Sequence, residues 1–149
     1  MTFSYDHNKS LGYLAGLANR LLSQTLASRF QAAGIDMTAE QWGAVILLLN
    51  GDAATQGELG VRLCLEKSSV SRLLNGLERR GWIERTKNPN DSRQKRIIPT
   101  PKVLEIAERC ATIARGILKS AQHGTTEEEQ AACQSFLFRI IANLNDMGS

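Results

Sequence analysis

The apolar residues of this chain change period twice along its 149 positions. Up to Arg80 they recur at spacings of three and four, as on amphipathic helices. Between Trp82 and Ile98 the helical spacing is lost, and short strand-like runs flank a polar turn. From Pro101 the helical spacing returns. The pattern predicts a mainly α chain carrying one small β-hairpin.

Local signals place the elements. Leu11, Leu14, Ala18, Leu22, Leu26 and Phe30, widened by Leu17 and Leu21, predict one long helix over Ser10–Ala33 that Gly34 stops. Thr38 and Gln41 form a capping-box pattern before a helix running to about Asn50, and Gly51-Asp52 breaks it. Thr55 and Glu58 repeat the pattern before a short helix, Gln56–Leu63. Beyond Leu65-Glu66 a further helix runs to Arg80, with Val70, Leu73, Leu74 and Leu77 on one face and Gly81 ending it. Trp82–Thr86 and Lys95–Ile98 read as paired strands, and Lys87–Ser92, dense in turn formers, as their polar tip. Thr100-Pro101 is an N-cap with proline at the first helical position. Val103, Ala107, Cys110, Ala114, Ile117 and Ala121 mark the helix that follows, and Gly124 ends it. Thr126 and Glu129 cap a last helix with Phe136, Leu137, Ile140, Ile141, Leu144 and Met147 along one face.

A chain of this length fits one domain with its own core. The longest apolar run, Ala44–Leu49, has six residues, far short of the ~18–20 a membrane span needs. A transmembrane protein, a collagen-like fibre and a fully disordered chain are excluded. The first seven residues lack a basic-then-apolar pattern, so a cytoplasmic location is expected rather than secretion by a cleaved signal. Cys64, Cys110 and Cys133 are too scattered for a disulfide framework and contain no C-x-x-C. They read as buried small hydrophobes in a reducing compartment. With only His7 and His123 as histidines, no metal site is expected. No Ser/His/Asp set or phosphate loop is readable, so neither an enzyme nor a cofactor is expected. Glu127-Glu128-Glu129 reads as charge favouring a helix N-terminus rather than as paired catalytic carboxylates.

Charge is concentrated. Residues 62–102 hold eleven Lys/Arg against four acids, a net +7, while the remaining 108 residues hold seven against eleven, a net −4. Such a block is the footprint of a nucleic-acid binder, and alone it equally fits a solvated basic face. Within it, Gln56–Leu63 and Lys67–Arg80 form a helix-turn-helix. The face of the second helix opposite its apolar stripe offers Lys67, Ser68, Ser69, Ser71, Arg72 and Asn75. Short hydroxyls allow close backbone approach, and an arginine can take guanine bidentately in the major groove. The basic hairpin behind this helix favours duplex DNA. A helical protein-interaction module with a basic face is the reading from another class.

The stretch Thr55–Pro101 resembles the winged helix of MarR-type bacterial transcription regulators. The resemblance rests on Asn88-Pro89-Asn90-Asp91-Ser92-Arg93 with Thr100 following, which fits the wing pattern D-x-R-x-x-x-x-x-L-T except for Pro99 at the leucine. Lys67–Leu74 and Leu77–Arg85 resemble the family's recognition helix and its exit into the wing. Pro101-Lys102-Val103 stands where a glycine commonly follows the wing threonine. The helix order extends the resemblance over nearly the whole chain.

The resemblance implies a winged helix-turn-helix flanked by dimerisation helices. About 36–100 would form the DNA-binding lobe, and 1–34 with 101–149 the dimerisation helices. It implies a homodimer gripping a pseudo-palindromic duplex, acting most often as a repressor. It also implies release by a small molecule entering between the dimerisation helices and the lobe. Arg93 is expected to enter the minor groove, with Asp91 orienting it, and Lys95 and Arg96 to meet phosphates. Some members sense oxidants through a cysteine in the first helix. This chain has none there, and a thiol switch would have to use Cys64, Cys110 or Cys133.

Overall fold

The computed structural model describes residues 1–88 and 91–148; of the side chains within those ranges, Asn88 and residues 91–94 lie outside the described ones. A 3-10 turn at His7–Lys9 precedes α1 (Leu11–Ala32), α2 (Ala39–Leu49), α3 (Gln56–Leu63), α4 (Lys67–Arg79), β1 (Ile83–Asn88), β2 (Asp91–Pro99), α5 (Pro101–Ala121) and α6 (Glu127–Met147). The class is therefore mainly α with one antiparallel two-stranded hairpin.

The capping signals act largely as the residues predict. Thr38 Oγ1 accepts from Gln41 N, and Gln41 Oε1 from Thr38 N, both at 3.0 Å. Thr126 and Glu129 close the same box at α6. At α3 only half the box forms. Thr55 Oγ1 takes the Glu58 N–H at 3.2 Å, but the Glu58 carboxylate takes Ala54 N at 2.8 Å instead of the cap residue's own N–H.

Gly81 ends α4 at φ 79°, a conformation that costs most residues a Cβ clash. The N–H of Gly81 donates to Glu78 O at 3.0 Å and that of Trp82 to Leu77 O at 2.9 Å, a Schellman pair. Trp82 thus belongs to the helix end rather than to the strand. At the end of α3 the left-handed position is held by Cys64, φ 53°, the one described non-glycine residue with positive φ.

The strands are longer than expected. β1 runs on through Lys87 to Asn88, and β2 begins at Asp91, so Lys87, Asn88 and Asp91 of the expected polar tip are paired. Ladder bonds engage the backbone alone, so polar side chains facing solvent do not prevent pairing. A third backbone segment joins the sheet edge. Ile97 N donates to Ala54 O at 2.8 Å beside a bridge between Thr55 and Arg96.

Residues Met1–Ala114 form one compact unit and Arg115–Ser149 a second. The first holds a contiguous core of Phe30, Trp42, Val45, Leu48, Leu59, Val70, Leu74, Leu77, Trp82, Ile83, Ile97, Val103 and Cys110, among others. Phe30 and Trp42 meet edge to face at 6.1 Å, and Trp82 Nε1 donates to Asp36 O at 2.9 Å, satisfying its buried N–H. Of the expected α1 stripe only Phe30 is buried; Leu11, Leu14, Leu17 and Leu21 are exposed. Ala121, expected on the α5 stripe, is exposed as well. Cys110 is buried, and burial pushes its thiol pKa up. Cys64 and Cys133 are exposed, correcting the expectation of three buried cysteines. One ends a helix and the other lies on α6, which has no buried residue.

Candidate nucleic-acid interface

Helix α4 buries Val70, Leu73, Leu74, Gly76 and Leu77. Its back is fastened to α2 by a polar cluster. Gln41 Oε1 accepts from Arg80 Nη1 at 2.6 Å as well as from the cap, and Arg80 Nε lies 3.3 Å from Asp36 Oδ2. The helices approach so closely here that a Cβ at Gly76 would stand 3.0 Å from Gln41 Nε2. This fixes α4 both in depth and in rotation about its axis.

The opposite face carries Lys67, Ser68, Arg72 and Asn75, all exposed. Ser69 and Ser71 are half-buried at its margins, and Arg72 Nη2 donates to Ser69 Oγ at 3.4 Å. Arg79, four residues beyond Asn75 and seven beyond Arg72, is exposed on the same face. Sequence reasoning left it out, although the helical spacing contained the signal.

Asn75 is not free. Its Oδ1 accepts a short hydrogen bond from Arg85 Nη2 on β1. Arg85 also grips Glu78, with Nη2 3.1 Å from Oε1 and Nε 3.2 Å from Oε2. The Arg85 hydrogen bond holds the Glu78 carboxyl below its usual range against partial desolvation, with Lys95 adding a smaller attraction. Arg85 therefore ties the first strand of the hairpin to the exposed face of α4. No sequence spacing announced this, because its partners lie seven and ten positions away in another element.

The exit from α4 is fastened again from α5. Thr100 Oγ1 donates to Gly81 O at 2.6 Å and Thr100 N to Trp82 O at 3.2 Å. Lys102 Nζ donates to Arg80 O at 2.6 Å while standing 4.3 Å from the centre of the Trp82 ring. The hairpin is thus held to α4 at both ends of the turn between them.

Along the hairpin, Lys87 and Lys95 are direct cross-strand partners, and both are exposed. Like charges facing each other destabilise a ladder. A polyanion lying against the hairpin would relieve that repulsion. Lys95 lies two register positions from Ile97, the partner of Arg85, and so shares its face. Arg96, opposite Thr86, points to the other face. The two basic residues expected to act together are therefore separated by the sheet. The side chains of Asp91 and Arg93 lie outside the described residues. A cleft of about 940 Å³ opens between α3, the start of α4 and the hairpin, lined among others by Cys64, Lys67, Val70, Arg85 and Lys95. Among the described residues no group of three or more His, Cys, Asp or Glu could hold a metal ion, and no helix is long and apolar enough to cross a membrane.

Residues 35–94 match the sequence profile of the MarR family. The multiple antibiotic resistance protein MarR of Salmonella typhimurium is 34% identical over 108 residues, covering 72% of this chain and 75% of that protein. A mutant Escherichia coli MarR, solved in complex with operator DNA, superposes with a TM-score of 0.81 at 24% identity, covering 93% of this chain and 99% of that one. Bordetella bronchiseptica BpsR, whose DNA binding is regulated by 6-hydroxynicotinic acid, superposes with a TM-score of 0.79 at 18% identity, covering 93% and 97%.

Proposed function

This chain belongs to the MarR family, and from that premise we propose that it is a homodimeric transcription regulator that binds a pseudo-palindromic DNA duplex. In this reading it is a cytoplasmic repressor, without catalytic activity, that a small-molecule effector releases. The observation that carries the reading is the exposed polar face of α4 locked to a basic hairpin. Arg85 holds the two elements in one geometry, with Lys102 fastening the end of α4 from which the hairpin leaves, as simultaneous major-groove and flanking contacts demand. Lys67, Ser68, Ser69, Ser71, Arg72 and Asn75 would face the major groove. Arg93, directed by Asp91, would enter the minor groove, and Lys95 and Arg96 would meet phosphates on either side of the hairpin. Residues from about 36 to 100 would form the DNA-binding lobe, and the outer helices would pair two copies. Release is supported by the likeness to BpsR, whose DNA binding a small molecule regulates.

Selection of bound sequences from a random duplex pool tests this. The expected result is an enriched pseudo-palindrome with half-sites about one helical turn apart. Failure to enrich any duplex would refute the reading.

A further inference from the structure

We infer that Lys102 and Arg109 are positioning residues that set the half-site spacing this protein accepts, by bracing α5 against the ends of α4 and α1. The inference rests on the homodimer and duplex-DNA reading above and adds a spacing rule to it.

Helices α1 and α4 end in the same way. At α1, Gly34 takes φ 75°, its N–H donates to Gln31 O at 3.0 Å, and that of Ile35 donates to Phe30 O at 2.8 Å. This is the Schellman pair that Gly81 and Trp82 also form. In both, the carbonyl of the residue before the glycine is left over for another donor: Ala33 O and Arg80 O. Each carries part of the negative end of its helix dipole. Helix α5 supplies a cation to each. Lys102 Nζ donates to Arg80 O and Arg109 Nη2 to Ala33 O, both at 2.6 Å. All four residues lie in the first compact unit.

Their spacing makes the two contacts a brace. Lys102 and Arg109 are seven residues apart, so they share one face of α5 and stand about 10 Å apart along its axis. Beside them Val103 and Cys110, also seven apart, are fully buried. That burial holds α5 to the core, but apolar contact has no direction. One directed bond would let α5 pivot about it; two bonds, two turns apart, fix both its register and its slope. The helix ends they grip are joined to each other. Trp82 Nε1 donates to Asp36 O at 2.9 Å, and Arg80 Nε lies 3.3 Å from Asp36 Oδ2. Helix α5 belongs to the segment proposed to pair two copies. Its slope against α4 therefore enters the distance between the two recognition helices of a dimer. A base pair added between half-sites moves one of them by about 3.4 Å and turns it by about 35°. A braced dimer meets that change only by deforming the duplex.

The experiment titrates the full chain against duplexes that carry the selected half-sites at the selected spacing, at one base pair more and at one fewer. Wild type should prefer the selected spacing by roughly tenfold, within the cost of deforming a site to fit a rigid dimer. Lys102→Met with Arg109→Met keeps both apolar stems and loses both donors. Its spacing preference should fall to within about threefold, while a base change inside a half-site costs it the same factor as wild type. The lost charges lower affinity for every duplex alike, so each ratio is taken within one variant. Lys102→Arg with Arg109→Lys keeps both donors and should retain the wild-type preference. Both side chains are exposed, so these changes leave the core closed. Lys102→Met and Arg109→Met alone each restore a pivot and should fall to within about fivefold, a reading that stands even if the double variant does not fold. The inference is overturned if wild type binds the three spacings equally, or if the methionine variants keep the wild-type preference. It is also overturned if they lose base discrimination along with spacing, or if the donor-keeping variant loses the preference as fully as they do. Any of those outcomes with a tightly bound selected duplex leaves the duplex reading standing. No duplex bound above scrambled DNA removes both.

Discussion

Arg72 is the exposed residue of α4 best suited to a bidentate base contact, since its only described partner is the weak 3.4 Å bond to Ser69. Arg72→Ala is expected to lose about 1–3 kcal/mol per base contact, counted twice in a symmetric dimer, and to narrow the gap between the selected duplex and scrambled DNA. Equal affinities of mutant and wild type for both duplexes would exclude Arg72 from readout. The wing offers a sharper contrast. If Arg93 enters the minor groove, Arg93→Ala weakens binding more than Lys95→Ala, although each removes one positive charge. If Asp91 directs Arg93, Asp91→Ala also weakens binding, whereas bulk electrostatics predicts tighter binding; a titration of the three variants at fixed salt separates these. The polar face of α4 was legible in the sequence because helical spacing alone decides which residues lie opposite Val70, Leu73 and Leu77. The clamp of Arg85 on Asn75 and Glu78 was not, since it depends on how far the hairpin folds back over α4.

Elements were legible wherever the backbone needs a particular residue type. Gly81 and the Thr38/Gln41 box mark helix ends because left-handed φ and orphan N–H groups have few solutions. The end of α3 is marked by no such residue. Cys64 takes the left-handed position there under tertiary constraint, as α3 turns into α4. The extent of the hairpin was underestimated for a related reason: turn-forming side chains at Asn88 and Asp91 do not bar their backbone from the ladder. The Lys87–Lys95 pair gives the hairpin its own test. Lys95→Glu turns a repulsive cross-strand pair into an attractive one and is expected to stabilise the fold by roughly 0.2–1 kcal/mol. The same change should weaken duplex binding. Thermal melting and a binding titration on one preparation read both effects, and a loss of both stability and binding would contradict this assignment of Lys95.

For the molecule as a whole, the apolar stripes at the two chain ends were legible, but which of them a single chain buries was not. Leu11, Leu14, Leu17 and Leu21 on α1, and Phe136, Leu137, Ile141, Leu144 and Met147 on α6, remain exposed. A stripe of exposed apolar residues on each of these helices marks an interface, and a second copy of the chain is the proposed cover. Ile141→Glu with Leu144→Glu should give a monomer in sedimentation and lose tight duplex binding, because two tethered half-sites gain affinity through effective concentration. A monomeric variant that binds at full strength would show that one chain suffices. The central claim, that this protein grips a duplex through phosphates with its basic lobe, is tested most directly by a titration of the selected duplex at increasing salt. Two subunits with several basic contacts each predict a slope of log K against log salt steeper than about −4. A flat response, with equal affinity for scrambled DNA, would contradict it.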